Sequence, residues 1–397
     1  MKDYILFATD LFLYNGGVND YTDNFAVQLV KRGRLRYVAS TYGKSGSPFY
    51  EVKKFDLPMS RPVSVLDKLM PISKLRTLQH VGRVYGKAAA GFPGLGIDKA
   101  KDMVIFTDYY TWQFDVLIRA ARRLKIPYGI VFHGLDLLWI KEKRFRHFQA
   151  NFSGAELVIY NSRATQALQQ QLFGTKHSNE QIVYPGIDVQ KIEGMAGGTG
   201  GRSMGERPGG ESPIVFSTVS RLVKRKGIDI AIRIVHALAG MGHPVRYYIG
   251  GVGGEGERLG ALIRELKAGE YIFLLGSLEE AEKYRLLADS DVFILPTHSN
   301  KNTDFEGFGI SFIEASLFGN VVIGGNHGGV TEAVVDGETG FLFDFDEEAS
   351  IGKAVTAIAA CIDDPERMEK IKNAGMSYVK REFDWNAIVE KFIREEA

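Results

Sequence analysis

The sequence predicts an α/β protein of two doubly wound, Rossmann-like domains facing a central cleft, and three observations carry that expectation. Its 397 residues exceed the roughly 250 to 300 at which a single core stops growing. Short apolar runs alternate with longer stretches of helical period, the pattern of βαβ units on a parallel sheet. Between Glu193 and Ser212, 8 of 20 residues are Gly, with Pro208 and hardly an apolar side chain, so this segment has nothing to pack with and reads as a connection. The expected boundaries are a first domain at 1–190, a linker at 191–212, a second domain at 213–380 and a last helix at 381–397.

Taken in order, Tyr4–Ala8, Val104–Thr107, Tyr128–His133, Leu157–Asn161 and Ile182–Tyr184 read as strands of the first half. Asp23–Arg32, Phe114–Leu124 and Arg163–Phe173 read as helices between them. The second half gives strands at Ile214–Val219, Val245–Gly250, Tyr271–Leu275, Val292–Pro296 and Val321–Gly324. Helices at Ile228–Met241, Glu257–Lys267, Glu279–Ala288, Gly309–Phe318 and Ser350–Asp363 alternate with them. Phe383-Asp-Trp385 with Ile388, Val389 and Phe392 gives a last amphipathic helix. In sheets of this kind ligands bind outside the carboxyl ends of the strands, so chemistry is sought in the loops that follow them.

Composition narrows the class. The chain is 45% hydrophobic and 24% charged, as soluble globular proteins are. The one cysteine, Cys361, excludes an internal disulfide and an all-cysteine metal site. Asp10 interrupts the apolar stretch near Met1 and no small-residue cleavage site follows it, which argues against a signal peptide. No apolar run reaches the roughly 18 residues needed to span a bilayer, and the expected location is cytoplasmic. The net charge of +1 conceals an asymmetry: residues 1–190 hold 26 Lys and Arg against 16 Asp and Glu, residues 191–397 hold 23 against 32. Either the basic half faces an anionic partner or two soluble domains merely differ in charge, and both readings stand at this point.

Glu306 and Glu314 bracket Glu306-Gly-Phe-Gly-Ile-Ser-Phe-Ile-Glu314, just after the strand that ends at Pro296. A helix starting near Gly309 offers free backbone N–H groups, unobstructed at Gly307 and Gly309, and a carboxylate on each side adds acceptors for hydroxyls. That set suits a polyol such as a sugar or a ribose. The plain alternative is a charge complementing the helix dipole and a solvated helix residue. Against it, Glu314 lies in an otherwise apolar helix, where a charge needs a partner.

The segment Phe305 to Ala315 resembles the E-x7-E motif of retaining glycosyltransferases of family 4, which have the GT-B fold. Other motifs fall in the family's order. Tyr14-Asn-Gly-Gly-Val18 resembles its glycine loop, Phe132-His-Gly134 its histidine site, and Tyr160-Asn-Ser-Arg163 and Tyr184-Pro-Gly-Ile-Asp188 its domain-closing strands. Ser220-Arg-Leu-Val-Lys-Arg-Lys-Gly227 resembles its Arg-x4-Lys phosphate motif; Gly328-Gly329, Glu332 and Asp336-Gly337 through Gly340 resemble the loops after the second glutamate.

The resemblance implies an acceptor-binding first domain and a second domain that binds a nucleotide-sugar. Arg221 and Lys226 would hold the donor diphosphate and stabilise it as it leaves. Glu314 would bind the ribose; Glu306 with the amides of Gly307, Phe308, Gly309 and Ile310 would hold the transferred sugar; Ser277 and Leu278 would complete the donor site. Gly16 and Gly17 would let the first domain's backbone approach the sugar phosphate, and His133 would touch the sugar from the acceptor side. The last helix would cross back onto the first domain. A lone His is more often a satisfied core residue than a catalyst. No side chain is an evident nucleophile, so positioning and charge stabilisation would carry the reaction.

Three other patterns compete. Gly251-Val-Gly-Gly-Glu-Gly256 after a strand fits the dinucleotide fingerprint G-x-G-x-x-G, though the family often has a glycine turn there. Asp344-Phe-Asp346 resembles a metal-binding D-x-D but sits in an acidic turn and reads as a helix N-cap region; no metal and no cofactor are expected. Lys141, Lys143, Arg144 and Arg146, with Lys74 to Arg83, mix with aromatic residues and read either as a solvated helix face or as contacts to acceptor or membrane.

The expected activity is retaining transfer of a hexose from GDP-mannose, or else a UDP-sugar, to a glycan or lipid-linked acceptor of envelope synthesis. It would take place in the cytoplasm, in contact with the inner membrane face and with no nucleic acid involved. The rivals are a nicotinamide-dependent oxidoreductase and a non-catalytic glycan- or membrane-binding protein.

Overall fold

A computed structural model describes residues 2–8, 17–40, 47–54, 85–109, 112–143, 146–197, 213–298, 304–347 and 349–396. The chain divides into two compact units, Met1–Tyr184 with Val389–Ala397, and Pro185–Ile388.

The first unit is built on a seven-stranded sheet in the order β3-β2-β1-β4-β5-β6-β7. Its strands are β1 (Asp3–Ala8), β2 (Leu35–Ser40), β3 (Val52–Lys54), β4 (Asp102–Phe106), β5 (Tyr128–Phe132), β6 (Leu157–Tyr160) and β7 (Glu180–Ile182). Every pairing is parallel. Strands β4, β5 and β6 are buried along their whole length, as they must be when helices cover both faces of a parallel sheet, and this is why they read as continuous apolar runs. Helices Gly17–Lys31, Trp112–Arg123 and Arg163–Phe173 connect them.

The second unit carries a six-stranded parallel sheet in the order β10-β9-β8-β11-β12-β13. Its strands are β8 (Ile214–Val219), β9 (Val245–Gly250), β10 (Ile272–Gly276), β11 (Val292–Leu295), β12 (Val321–Gly325) and β13 (Gly340–Phe343). Helix Ile228–Gly240 buries Ile228, Ala231, Ile232, Ile234, Val235 and Leu238 on this sheet, a spacing of three and four that puts them on one face.

The structure adds elements the sequence reading did not anticipate and shifts one. Strand β2 was hidden by Arg36, whose guanidinium is neutralised by buried Asp102 of β4, a partner that only the tertiary fold supplies. Strands β3 and β13 are too short to show a period. Helices Leu135–Lys143, Phe148–Ser153 and Pro365–Glu382 are further additions. The strand expected at Ile182–Tyr184 is β7 at Glu180–Ile182. Residues 191–197, assigned above to the connection, lie within helix Val189–Gly197; residues 198–212 and 74–83 lie outside the described residues.

Chain order reverses across each sheet between two strands that are sequence-distant neighbours. In the first unit these are β1 and β4; in the second they are β8 and β11. Such a switch point leaves a crevice at the carboxyl ends, because the connections on its two sides run in opposite directions. In the second unit the described segments at that point are Ser220 to Lys226, Pro296 to His298 and Asp304 to Phe308.

Candidate functional site

After β8 the chain makes a 3-10 turn, Lys224–Lys226, and ends it at Gly227 in the left-handed region (φ 63°). A Cβ there would overlap the Pro296 carbonyl oxygen, so only glycine lets the turn press against the end of β11. The turn buries Lys226 and half-buries Arg225. After β11, residues 304–309 lead into helix Ile310–Leu317, whose N-cap is Gly309 at φ 95°. This loop is backed by Gly328 and Gly329: the Gly329 N–H donates to the Glu306 carbonyl oxygen at 3.0 Å, and side chains at either glycine would overlap the carbonyls of Glu306 and Gly307.

The packing joins the two loops through charge. The Lys226 ammonium donates to Glu306 Oε2 at 2.7 Å, and Arg225 Nη1 donates to the same oxygen. Arg225 Nε also pairs with Asp304 Oδ1 at 3.1 Å. Burial by itself would raise the Glu306 pKa, but the Lys226 and Arg225 charges outweigh it and hold the carboxyl down at about 2. Burial also draws Lys226 below the ordinary lysine range, while Glu306 opposes that shift. Glu306 is therefore a fixed anion, able to accept hydrogen bonds and unsuited to giving up a proton. Arg221 is exposed, with no ion pair among the described residues, and it lies near enough for its charge to depress Lys226.

Glu314 sits in the second turn of the same helix, 8% exposed. Its partner is Lys283, with Nζ 2.7 Å from Oε1; the Tyr284 hydroxyl is 3.4 Å from the same oxygen, and the ammonium stands 4.4 Å from the Tyr284 ring centroid. The charge that the apolar helix demanded a partner for has one. At the helix start, the N–H groups of Ile310 and Ser311 have no acceptor within the helix. Phe308 is buried, with its ring 5.1 Å from that of Phe383. Ser277 is exposed and Leu278 half-buried; the Leu278 side chain fills the space where a Cβ of Gly250 would stand.

Gly251 and Gly253 meet close backbone rather than a nucleotide. A Cβ on Gly251 (φ 137°) would overlap the Ser220 carbonyl oxygen, and one on Gly253 that of Leu222. The G-x-G-x-x-G spacing is thus required for the loop after β9 to pack on the loop after β8. Asp344 to Asp346 is a tight acidic turn, with the Asp346 N–H donating to Asp344 Oδ1 at 3.2 Å, before helix Ala349–Ile362.

In the first unit, His133 follows β5. Its Nε2 lies 2.8 Å from the Thr107 carbonyl oxygen, which only accepts, so Nε2 carries the proton and Nδ1 the lone pair. The Tyr21 ring meets it edge-on at 5.1 Å. Burial lowers its pKa to about 4 against that hydrogen bond, leaving a neutral ring at physiological pH. Asp136 fixes the turn by accepting from the N–H groups of His133 (3.1 Å), Gly134 (2.8 Å) and Leu137 (3.0 Å). Gly17 begins helix Gly17–Lys31, and Gly16 lies outside the described residues. Lys141, Lys143 and Arg146 are exposed, Lys143 paired with Glu142 at 2.5 Å, and Trp139 on the same helix is 42% exposed; Arg144 is not among the described residues.

Arg225, Asp304 and Lys283 were not singled out in the sequence. Arg225 stands between Lys224 and Lys226 in the sequence, and nothing in three consecutive cations marks which of them turns inward.

Two family models divide the chain between them. The one described as Glycosyltransferase Family 4 matches residues 15–191, and the one described as Glycosyl transferases group 1 matches residues 205–377. Each half of the chain is thus similar to a glycosyltransferase family. The chain is 31% identical over 234 residues to a GDP-mannose-dependent alpha-(1-6)-phosphatidylinositol monomannoside mannosyltransferase of Mycolicibacterium smegmatis, a match covering 58% of this chain and 59% of the relative. It is 25% identical over 286 residues to an amylovoran biosynthesis glycosyltransferase of Erwinia amylovora, covering 70% and 67%. The match to the mycobacterial relative thus spans about three fifths of that protein's length. Among solved structures, HepE of Anabaena in complex with UDP and glucose superposes with a TM-score of 0.67 at 21% identity, over 98% of each chain. That likeness shows the shared two-domain fold.

Proposed function

We propose that this protein transfers a hexose, with retention of configuration, from a nucleotide-sugar to a glycan or lipid-linked acceptor in envelope polysaccharide or glycolipid synthesis. The observation that carries the reading is the clamp of Glu306 by Lys226 and Arg225 at the switch point of the second sheet. There a fixed anion for sugar hydroxyls stands beside cations suited to a diphosphate. GDP-mannose is the donor we favour over a UDP-sugar, on the resemblance of Asp304 to Ile310 to mannosyltransferases and on the likeness to the mycobacterial GDP-mannose-dependent mannosyltransferase.

In this reading Arg221 and Lys226 bind the diphosphate, and the amides of Gly307 to Ile310 with Glu306 hold the sugar. Glu314 takes the ribose diol, with Lys283 fixing its carboxylate, and Ser277 and Leu278 line the same donor site. The bond from the anomeric carbon to the phosphate oxygen breaks, an acceptor oxygen bonds that carbon on the same face, and the acceptor proton passes to the leaving phosphate. The chain's own part is to orient the donor and to stabilise charge as it builds on the phosphate. The roles of His133, Gly16 and Gly17 toward sugar and phosphate rest on the family resemblance. Lys141, Lys143, Arg144 and Arg146 are proposed to meet the acceptor or an anionic membrane surface. The transfer is proposed to need no metal, and chelation by EDTA should leave its rate unchanged.

The oxidoreductase reading loses its support, because Gly251 and Gly253 are explained by backbone packing. The test is transfer of labelled mannose from GDP-mannose, alongside labelled UDP-glucose, to extracted membrane glycolipid. Glu306→Ala should lower the rate at least about 100-fold while GDP still binds; transfer at the wild-type rate would refute the role given to Glu306.

A further inference from the structure

Beside the clamp, four polar atoms at the carboxyl ends of β11 and β12 are buried without a hydrogen-bond partner among the described residues. They are Thr297 Oγ1, His298 Nδ1, and both ring nitrogens of His327. The backbone N–H groups of the three residues are each bonded. The Thr297 N–H donates to the Leu295 carbonyl at 2.7 Å, that of His298 to Arg225 at 3.0 Å, and that of His327 to Gly325 at 2.9 Å. Gly325 lies so close to the Thr297 carbonyl that a Cβ would overlap it. These backbone N–H groups are bonded while the four side-chain atoms have no partner among the described residues. The His327 ring stands beside the Thr297 carbonyl without hydrogen-bonding geometry, and it senses the charges of Glu306 and Asp346.

Buried polar groups without partners are rare in folded proteins, because each has given up water for nothing. Four in one place point to a missing ligand, and their chemistry restricts it. A neutral imidazole offers one donor and one acceptor, and a threonine hydroxyl offers both. Burial lowers the His327 pKa, so its ring is neutral near pH 7. Lys226 pairs with Glu306, and Arg225 with Glu306 and Asp304. An anion at this ring would meet the negative charges of Glu306 and Asp346. A neutral polyol, whose hydroxyls each donate and accept, fits.

We propose that Thr297, His298 and His327 form a hydroxyl-reading subsite that binds the transferred hexose on the far side of its contact with Glu306 and selects its hydroxyl configuration. This rests on the donor reading above and deepens it.

The test is calorimetric titration of the full chain, as wild type, Thr297→Val and His327→Leu, with each nucleoside diphosphate and its sugar conjugate (GDP and GDP-mannose, UDP and UDP-glucose), together with melting of the unliganded proteins. For the pair that wild type binds, the variants should hold the diphosphate within about twofold and the sugar conjugate at least fivefold more weakly. They should also melt at or above the wild-type temperature, because an unsatisfied buried group has been removed. Equal loss for diphosphate and conjugate, no loss for either, or unliganded variants that melt well below wild type would each overturn the subsite. The last result would mean that the atoms are already satisfied in the free protein, as by an ordered water. If wild type binds no diphosphate at all, the donor reading falls and the subsite with it.

Discussion

Glu306 enters the folded protein as a permanently ionised group, and that shapes what its neighbourhood can do. With its carboxyl held at about 2, its pairing contributes stability that is complete above the unfolded value of 4.5 and is lost only as the pH falls toward 2. It should therefore impose no acid limb on activity between pH 5 and pH 9. His133 and Asp136 behave differently because burial dominates both. The His133 value falls to about 4 and the Asp136 value rises to about 6. His133 contributes stability that is present above 6.5 and lost as the pH drops through 4. Asp136 contributes stability that is present below 3.8 and lost as the pH climbs through 6. Wild type should show the two nearly cancelling, each slope approaching about 1.4 kcal/mol per pH unit. Melts at pH 7 and 4.5 would separate them: acidification should favour His133→Phe relative to wild type and penalise Asp136→Asn. Parallel shifts would contradict the assignment. The two glutamates and Lys226 were legible in the sequence as a spacing. Their counter-charges were not, because Arg225 turns inward only when the turn at Gly227 folds, and Lys283 reaches Glu314 from another helix.

At the scale of elements, continuous apolar strands announced themselves and mixed ones did not. Strands β5, β11 and β12 are buried on both faces and stood out as apolar runs. Strand β2 carries a charge whose partner is far along the chain, and β3 has three residues. Helix Pro365–Glu382 was missed although Asp364-Pro365 is a recognisable start; the Asp364 side chain accepts the Arg367 N–H. Glycine placement is sharper than the sequence suggested. Gly251→Ala should destabilise the second unit by about 3 kcal/mol, from a forced backbone and an overlap with Ser220. Gly254→Ala, three residues on with open space around it, should change stability by less than about 1 kcal/mol. Denaturant titration of both variants checks the contrast, and equal losses would show that the glycine motif is not there for packing.

For the whole molecule, the parallel sheets of both units were legible from alternation and length alone, and the topology then located the site, since the switch point of the second sheet falls between the loops that bear Lys226 and Glu306. No helix among the described residues is long and apolar enough to cross a membrane. The basic first half, with exposed Lys141, Lys143 and Arg146 beside Trp139, should bind anionic vesicles in a salt-dependent way. Lys141→Glu with Lys143→Glu should weaken sedimentation with anionic vesicles severalfold; equal binding to neutral vesicles would argue for an ordinary solvated surface. The second unit is proposed to hold a nucleoside diphosphate between its phosphate-binding cations and Glu314. That binding is tested most directly by thermal shift of the full chain with GDP, UDP, ADP and NAD, on wild type and on Glu314→Ala. GDP or UDP should raise the melting temperature clearly, and Glu314→Ala should largely remove that rise. Stabilisation by NAD alone, or by none of the four, would contradict the proposed binding.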